Sequence, residues 1–257
     1  MKKEVIGTVG RCIYCRSSDE ELTDEHVVPL GLGGCHVLNK ASCSRCQNIT
    51  SKIERSILRN TWIAPRVKLG LPTRRPKNRP DVMPLTVERN GSPVIIDIPI
   101  KKRPTAMVFP IYEKPACLDK TASVTGTKWK GLMWVILGGI NSLKALKEES
   151  QIKSITESVT FESNNFAWLI AKIAYGFAVA SYGPDIIDTA YVREAILYRS
   201  DTIGYWVGCP EKSSSFNKED RYQVGFSISE GDIHAYVRLF VHQSIPEYLV
   251  IVGPKPS

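Results

Sequence analysis

Long apolar runs are absent from this 257-residue sequence. The longest one, over residues 131–140, is far shorter than the roughly 20 residues of a membrane-spanning helix, and no apolar run follows Met1, Lys2 and Lys3. We therefore expect neither a transmembrane helix nor a secretory signal, which predicts a soluble cytoplasmic protein without a membrane partner. Hydrophobic residues still make up 43% of the chain, so it can form a sizeable core.

Acidic residues are scarce in one segment. Between residues 40 and 80, Glu54 is the single acid, against eleven lysines and arginines. That segment carries a formal charge of +10 (11 minus 1), so the rest carries about −2, given a total of +8. A basic segment in an otherwise balanced chain indicates a site for a polyanion such as nucleic acid. Charge alone leaves open a solvated basic loop.

Disulfide bonds are not expected, although the chain has seven cysteines. Four of them form two Cys-x-x-Cys pairs, Cys12 with Cys15 and Cys43 with Cys46, which 27 residues separate. In a chain without a secretory signal, such pairs more often hold a metal than a disulfide. Four thiolates suit a tetrahedral Zn²⁺ ion, and such a closed site is structural because no coordination position stays open.

A redox dithiol is the competing interpretation of the cysteine pairs. It needs one pair beside a βαβ unit, and the first sixty residues show no such pattern. For a region this short and polar, a zinc ion would supply much of the folding free energy. The other cysteines have no partner spacing, and we expect Cys35, Cys117 and Cys209 to be small core residues.

Local patterns predict mixed secondary structure throughout. Residues 21–29 are typical of a strand, the glycines of residues 31–34 of a loop, and residues 44–59 of a helix. Prolines at 65, 72, 76, 80 and 84 predict an extended basic linker without a regular helix. Farther along, residues 94–100 and 106–111 are predicted strands, and residues 163–182 and 187–198 predicted helices.

The C-terminal pattern, over residues 204–252, predicts an antiparallel meander. The predicted fold class is therefore α+β, with an N-terminal zinc-bound part followed by a larger α+β region. We predict three parts: a zinc-bound domain over residues 1–62, a basic Pro/Arg-rich linker or arm over residues 63–84, and an α+β domain of unassigned role over residues 85–257.

The segment between the cysteine pairs carries the strongest signal for function. Glu25, His26, two aliphatic residues and Pro29 follow one another; Gly33-Gly34 come next, and the second cysteine pair begins a helix. This order closely resembles the HNH endonucleases, also called ββα-metal nucleases. The resemblance covers residues 11–59, under a quarter of the chain. It implies that the zinc-bound domain over residues 1–62 is a nuclease domain built on a ββα-metal motif.

The resemblance implies a role for two adjacent residues. His26 would be the general base, and a neutral imidazole can accept the proton of a water molecule near pH 7. Glu25 would bind a divalent cation, and its hard oxygen ligands suit Mg²⁺ or Mn²⁺. Phosphodiester hydrolysis needs both an activated water and stabilisation of charge on the phosphate and the leaving oxygen.

The sequence departs from the family pattern after the second cysteine pair. The family usually places an Asn or His metal ligand there, whereas this chain has Gln47 and then Asn48. Adjacent helical residues point about 100° apart, so one of the two can face the metal, and we predict Asn48. For the middle residue of the motif, Asn39 and His36 are both candidates, and either can be merely structural.

Nucleic acid is the expected partner, with DNA predicted as substrate and RNA left open. The basic residues that we expect to contact phosphates are Lys40, Arg45, Lys52, Arg55, Arg59, Arg74 and Arg75. Genome defence and mobile-element processing are settings in which such an endonuclease would act.

A zinc-dependent nucleic-acid-binding module without catalysis is the main alternative function, and a scaffold or regulatory protein is the third. Because residues 85–257 are poor in basic residues, they are predicted to serve a protein partner, a homo-oligomer or sensing.

Overall fold

The computed structural model describes residues 2–119, 126–138, 143–144, 147–148, 152–213, 221–241 and 245–256, and it confirms the α+β class. Their strands are β1 Glu4–Thr8, β2 Leu22–His26, β3 His36–Cys43, β4 Val82–Arg89, β5 Ser92–Pro99, β6 Thr105–Tyr112, β7 Trp129–Leu137, β8 Ser154–Thr156, β9 Val207–Gly208, β10 Tyr222–Ser229, β11 Asp232–Leu239 and β12 Tyr248–Pro254. The helices are α1 Ser44–Arg55, α2 Ile63–Lys68, α3 Ser163–Tyr182, α4 Ile186–Thr189, α5 Val192–Tyr198 and α6 Ile203–Trp206.

The N-terminal part has the predicted ββα arrangement. A three-stranded sheet has the order β1-β3-β2, in which β3 pairs parallel with β1 and antiparallel with β2. Strand β3 ends at Cys43, and α1 begins at the next residue. The two strands and the helix are therefore consecutive in sequence as well as adjacent in space.

The helix predicted over residues 44–59 changes its geometry part of the way along. Helix α1 ends at Arg55, and π-helical turns continue the chain over Ser56–Thr61. The backbone amide of Trp62 bonds to the carbonyl of Ile57 at 2.8 Å, which is the wider spacing of a π-turn. Ile57, Leu58 and Thr61 of these turns are buried.

The prediction that the proline-rich segment has no regular structure is wrong at both ends. Pro65 lies in the first turn of α2, where its missing N–H would have no helical acceptor. Pro84 lies within β4, at a position that pairs with β5 but precedes the pairing with β8. An unpaired strand side tolerates the missing N–H. Residues 69–81, between α2 and β4, form a loop as predicted, apart from a 3-10 turn at Pro76–Asn78.

The long helix α3 has the predicted bounds and is buried on most sides. Fourteen of its twenty residues are buried, because α1 lies against it on one side and strands β11 and β12 on another. The buried residues include one charged side chain, Lys172. A helix apolar on most sides is typical of the centre of a protein.

The C-terminal strands form the predicted antiparallel sheet, in the order β10-β11-β12-β9. Two local predictions are wrong. Residues 204–206 belong to α6, so the strand starts only at Val207. The helix predicted over residues 187–198 is divided into α4 and α5, because the amide of Tyr191 bonds instead to the carbonyl of Val252 at 2.8 Å.

One hydrophobic cluster runs through most of the described protein and includes residues from the turn of Cys12 and Cys15, α1, α3 and the C-terminal sheet. Trp62 is fully buried within it, against the rings of Phe109, Phe166 and Phe240. The core therefore crosses the boundary predicted at residues 62–63, and the division into domains stays a prediction. In the described part of the chain, no helix is both long and apolar enough to cross a membrane.

Candidate active site and metal centre

The two cysteine pairs come together at one point. Cys12 and Cys15 lie in the turn after β1, Cys43 ends β3, and Cys46 lies in the first turn of α1. The four sulfur atoms all lie within 4.8 Å of one another, and Cys12, Cys43 and Cys46 are buried. The turn is fixed by backbone bonds, among them one of 2.8 Å from the Ile13 amide to the Ala41 carbonyl.

This cysteine cluster fits a tetrahedral zinc ion. Zn–S bonds of about 2.3 Å place the sulfurs about 3.8 Å apart, and the Cys15 and Cys43 sulfurs are 3.6 Å apart. A hydrogen bond from Cys46 lowers the pKa of Cys12 to about 4, whereas burial raises the pKa of Cys43 to about 11. Four sulfur atoms so close together share protons unless a cation takes the place of those protons. Zn²⁺ is the cation that thiolates favour.

A cleft of about 650 Å³ opens beside the end of β2. Its walls are the end of β2 with the following turn, one face of α1 with the π-helical turns, and the loop at residues 72–75. The residues lining it are Asp24, Glu25, His26, Leu30, Gly31, Gln47, Thr50, Ser51, Glu54, Arg55, Leu58, Arg59, Arg66, Pro72, Thr73, Arg74 and Arg75. The cleft thus unites the predicted catalytic pair with four of the seven predicted phosphate-contacting residues.

His26 is the last residue of β2 and is partly buried. Its Nδ1 atom is buried and has no hydrogen-bond partner among the described residues. Burial lowers the pKa of His26, and the nearby charges of Lys3 and Lys172 lower it further. A lowered pKa favours the neutral form of the imidazole near pH 7.

Glu25 is 4% exposed and is held by two side chains. Its Oε1 atom accepts a hydrogen bond of 3.0 Å from the Tyr14 hydroxyl and lies 2.7 Å from Nζ of Lys172. Lys172 also pairs with Glu54, at 3.1 Å, so one ammonium bridges two carboxylates. Two charged residues of the site, Glu54 and Lys172, were not assigned from the sequence. The sequence signal for Lys172 was the position of a charged residue inside the apolar run 169–174.

The charges in this group depend on one another. Burial opposes the charge of Lys172, but Glu25 and Glu54 outweigh it and raise the pKa of the ammonium. Burial likewise raises the pKa of Glu54, and Lys172 counteracts it. The donor set fits a divalent cation, because the carboxylates of Asp24, Glu25 and Glu54 line one cleft.

The two amide side chains after Cys46 are placed differently. Gln47 lines the cleft, as do Thr50, Ser51 and Glu54, which follow it at helical spacing on the same face of α1. Asn48 is exposed and is not among the lining residues. The assignment of Asn48 as a ligand stays a prediction, and Gln47 is the amide that the cleft contains.

The two candidates for the middle residue of the motif lie on β3, outside the cleft. His36 accepts or donates a 2.8 Å hydrogen bond with the Tyr222 hydroxyl and packs edge-on against Phe177. Together with Glu4 and Cys35, it forms a second, more exposed group of metal-binding residue types. Asn39 pairs with Thr8 of β1. Neither His36 nor Asn39 lines the cleft that contains His26.

The basic residues divide into two groups. Arg55, Arg59, Arg74 and Arg75 are exposed and line the cleft, whereas Lys40, Arg45 and Lys52 are exposed outside it. Arg66 has a structural role that the sequence did not indicate. Its guanidinium donates to the carbonyls of Gly31, Leu58 and Pro72, at 2.9, 2.9 and 3.3 Å, and so joins the three walls of the cleft.

Residues 12–61 match the family model of the HNH endonucleases. The match includes both cysteine pairs, β2, β3, α1 and the π-helical turns, and it confirms the resemblance inferred from the sequence. At the level of the family it indicates a nuclease, with nucleic acid as substrate. No curated protein and no solved structure matches the chain.

Proposed function

We propose that this chain is a metal-dependent endonuclease that hydrolyses phosphodiester bonds of DNA in the cleft beside β2. One observation carries the proposal: His26 shares a cleft with the carboxylates of Asp24, Glu25 and Glu54 and with four exposed arginines. A general base, ligands for a cation and a surface for phosphates are the parts that phosphodiester hydrolysis requires.

His26 is the general base of the proposed reaction. Its lowered pKa favours the unprotonated form at neutral pH, and its side chain lines the cleft. It therefore accepts the proton of the attacking water. The hydrogen bond of 2.6 Å from Lys172 to the His26 carbonyl fixes the backbone that carries the imidazole.

Glu25 and Glu54 are the proposed ligands of a catalytic Mg²⁺ or Mn²⁺ ion, with Gln47 or Asn48 as a third. Bound there, such an ion would stabilise the negative charge of the phosphate and the leaving oxygen. A zinc ion at the cysteine cluster would have no such part, because four sulfurs leave no position for water or substrate. Its role would be to hold the turn at Cys12 to the start of α1.

The arginines of the cleft are proposed to hold phosphates on both sides of the scissile bond. Arg55 and Arg59 project from the helical wall, and Arg74 and Arg75 from the opposite loop. Lys40, Arg45 and Lys52 would contact phosphates farther from the cleft. Guanidinium groups suit this role because they bind phosphate oxygens in pairs.

The direct test is to incubate the purified protein with supercoiled plasmid in Mg²⁺, in Mn²⁺ and in EDTA. Nicked or linear products that require the divalent ion support the proposal. An equimolar structured RNA, treated in the same way, identifies the preferred nucleic acid. Intact plasmid and RNA under all three conditions, with retained binding, would favour the non-catalytic zinc-dependent module. One observation favours this non-catalytic alternative. The carboxylate of Glu25 already contacts Lys172 and Tyr14, and these contacts compete with a bound cation.

Replacing Arg74 and Arg75 with Gln should weaken DNA binding and reduce its salt dependence. Each lost phosphate contact lowers the slope of log affinity against log salt by about 0.9 on duplex DNA, so the double variant should lose about 1.8. Fluorescence anisotropy with a labelled duplex in EDTA measures the slope while the DNA stays intact.

The matched control for this experiment is a double variant with the same change of charge outside the cleft. Lys128 and Lys130 are exposed and lie outside the cleft. Lys128→Gln with Lys130→Gln should leave the slope close to that of the wild type. Equal slopes for the two double variants would contradict a specific role for Arg74 and Arg75.

Gln47→Ala and Asn48→Ala should differ in their effect on metal binding. Because Gln47 faces the cleft, its loss should weaken Mn²⁺ binding about tenfold or more, whereas Asn48→Ala should change it little. Titration of Mn²⁺ followed by electron paramagnetic resonance gives both affinities. The reverse order of effects would identify Asn48 as the ligand, as the family pattern predicts.

A further inference from the structure

Lys172 lies outside the matched segment but at the centre of the candidate site. It belongs to α3, is 1% exposed, and its Nζ atom contacts four oxygen atoms. These are Oε1 of Glu25 at 2.7 Å, Oε1 of Glu54 at 3.1 Å, and the carbonyls of His26 and Val27 at 2.6 and 3.4 Å. An ammonium has three protons, so this arrangement saturates it.

The close approach of α3 to β2 makes this contact possible. Gly176 lies one helical turn after Lys172, on the same face. A Cβ atom at Gly176 would lie 2.8 Å from Cγ1 of Val27, which is closer than side chains pack. The glycine therefore lets the helix approach the end of β2, where Lys172 reaches the carboxylates from behind the cleft.

Lys172 neutralises half of the negative charge of Glu25 and Glu54 before any cation binds. Glu25 and Glu54 carry two negative charges, and Lys172 returns one positive charge. A divalent cation that binds the same carboxylates meets an ammonium a few ångströms away. In a partly buried site, such a repulsion weakens cation binding by about tenfold or more. A phosphate of the substrate adds negative charge on the open side of the cleft and offsets that repulsion.

We propose that Lys172 is a built-in counter-cation, which keeps the affinity of the free protein for the divalent ion low and makes tight ion binding depend on bound nucleic acid. The inference rests on the proposed function, since it concerns the same carboxylates. Lys172 acts through Glu25 and Glu54 and is a positioning residue. It links helix α3 to the chemistry of the matched motif.

The test compares Mn²⁺ binding to the free protein and to its complex with a short DNA duplex. Every protein carries His26→Ala so that the DNA stays intact. With Lys172 present, DNA should raise the Mn²⁺ affinity about tenfold or more. In Lys172→Met, the free protein should already bind Mn²⁺ about tenfold more tightly, and the added effect of DNA should shrink. Electron paramagnetic resonance of Mn²⁺ reports both affinities without any catalytic turnover.

Two further variants separate charge from packing. Lys172→Arg keeps the positive charge and should behave as the parent protein. Lys153→Met removes an exposed lysine that pairs with Glu88 and should also have no effect. If Lys172→Met is unstable without metal, its unfolding temperature should rise more steeply with Mn²⁺ than that of the parent, because bound ligand stabilises the folded state.

An Mn²⁺ affinity of free Lys172→Met equal to or below that of the parent would overturn the inference, as would Lys172→Arg behaving like Lys172→Met. Failure of the proposed function has a different signature. In that case the wild-type protein cuts neither plasmid nor RNA in Mg²⁺ or Mn²⁺, whatever Lys172→Met does to Mn²⁺ binding. The two results are therefore independent.

Discussion

His26→Ala is expected to lower the rate of DNA cleavage by a factor of about 10² to 10⁴, the usual loss when a general base is removed. DNA affinity and zinc content should stay near their wild-type values. His26 is not part of the four-cysteine cluster, and the four exposed arginines of the cleft belong to α1, the π-helical turns and the loop at residues 72–75. Initial rates of plasmid nicking at saturating Mg²⁺ give the ratio directly.

The matched control for His26 is His36→Ala. His36 has the same side chain and a similar partly buried position, but it contacts Tyr222 and Phe177 outside the cleft. Its replacement should leave the cleavage rate within a few-fold of wild type. Undiminished cleavage by His26→Ala would refute the role of His26 and make the non-catalytic module the better account.

Loss of one zinc ligand should have the largest effect on folding. Structural zinc sites contribute on the order of 10 kcal/mol or more to small motifs at pH 7. Cys46→Ala should therefore lose the bound zinc, about one equivalent per chain in the wild type, and become sensitive to protease between residues 10 and 60. Elemental analysis and limited proteolysis measure the two consequences. Chelation of the metal from the wild-type protein should reproduce them.

Cys117→Ala serves as the control for cysteine loss. Cys117 is a partly buried free cysteine in a 3-10 turn, outside the four-sulfur cluster. Its replacement should retain the zinc and the protease resistance. A native wild-type protein without zinc, in which all four cluster thiols react freely, would exclude a structural zinc site.

Features coded by a short run of residues could be predicted from the sequence. The two cysteine pairs, the segment from Glu25 to Pro29, and the bounds of α3 each depend on neighbours within a few residues or one helical turn. The family match over residues 12–61 confirms the first two at the level of the motif. The sequence showed that Arg74 and Arg75 belong to a basic segment. It did not show that they line the same cleft as residues of α1.

Features that join distant segments could not be predicted in this way. Lys172 lies 146 residues after His26, and the residues next to it in the sequence do not indicate which groups it contacts. Arg66 was counted among the basic residues, but its three carbonyl acceptors belong to three separate segments. Pro65 and Pro84 were assigned to a linker because proline disfavours regular structure on average. The first turn of a helix and a partly unpaired strand are the places where that average does not apply.

The burial of Trp62 bears on how such a motif can move between proteins during evolution. The indole lies at the end of the matched segment, and its Nε1 donates to the Val108 carbonyl at 3.1 Å. Recombination at this point would leave a large aromatic ring and a buried donor without partners in either product. A transferable unit would have to include α3, which supplies Lys172 and whose Tyr175 hydroxyl bonds to the Ile13 carbonyl. A segment transferred with these buried contacts intact would therefore have to extend from the N-terminal motif at least through α3.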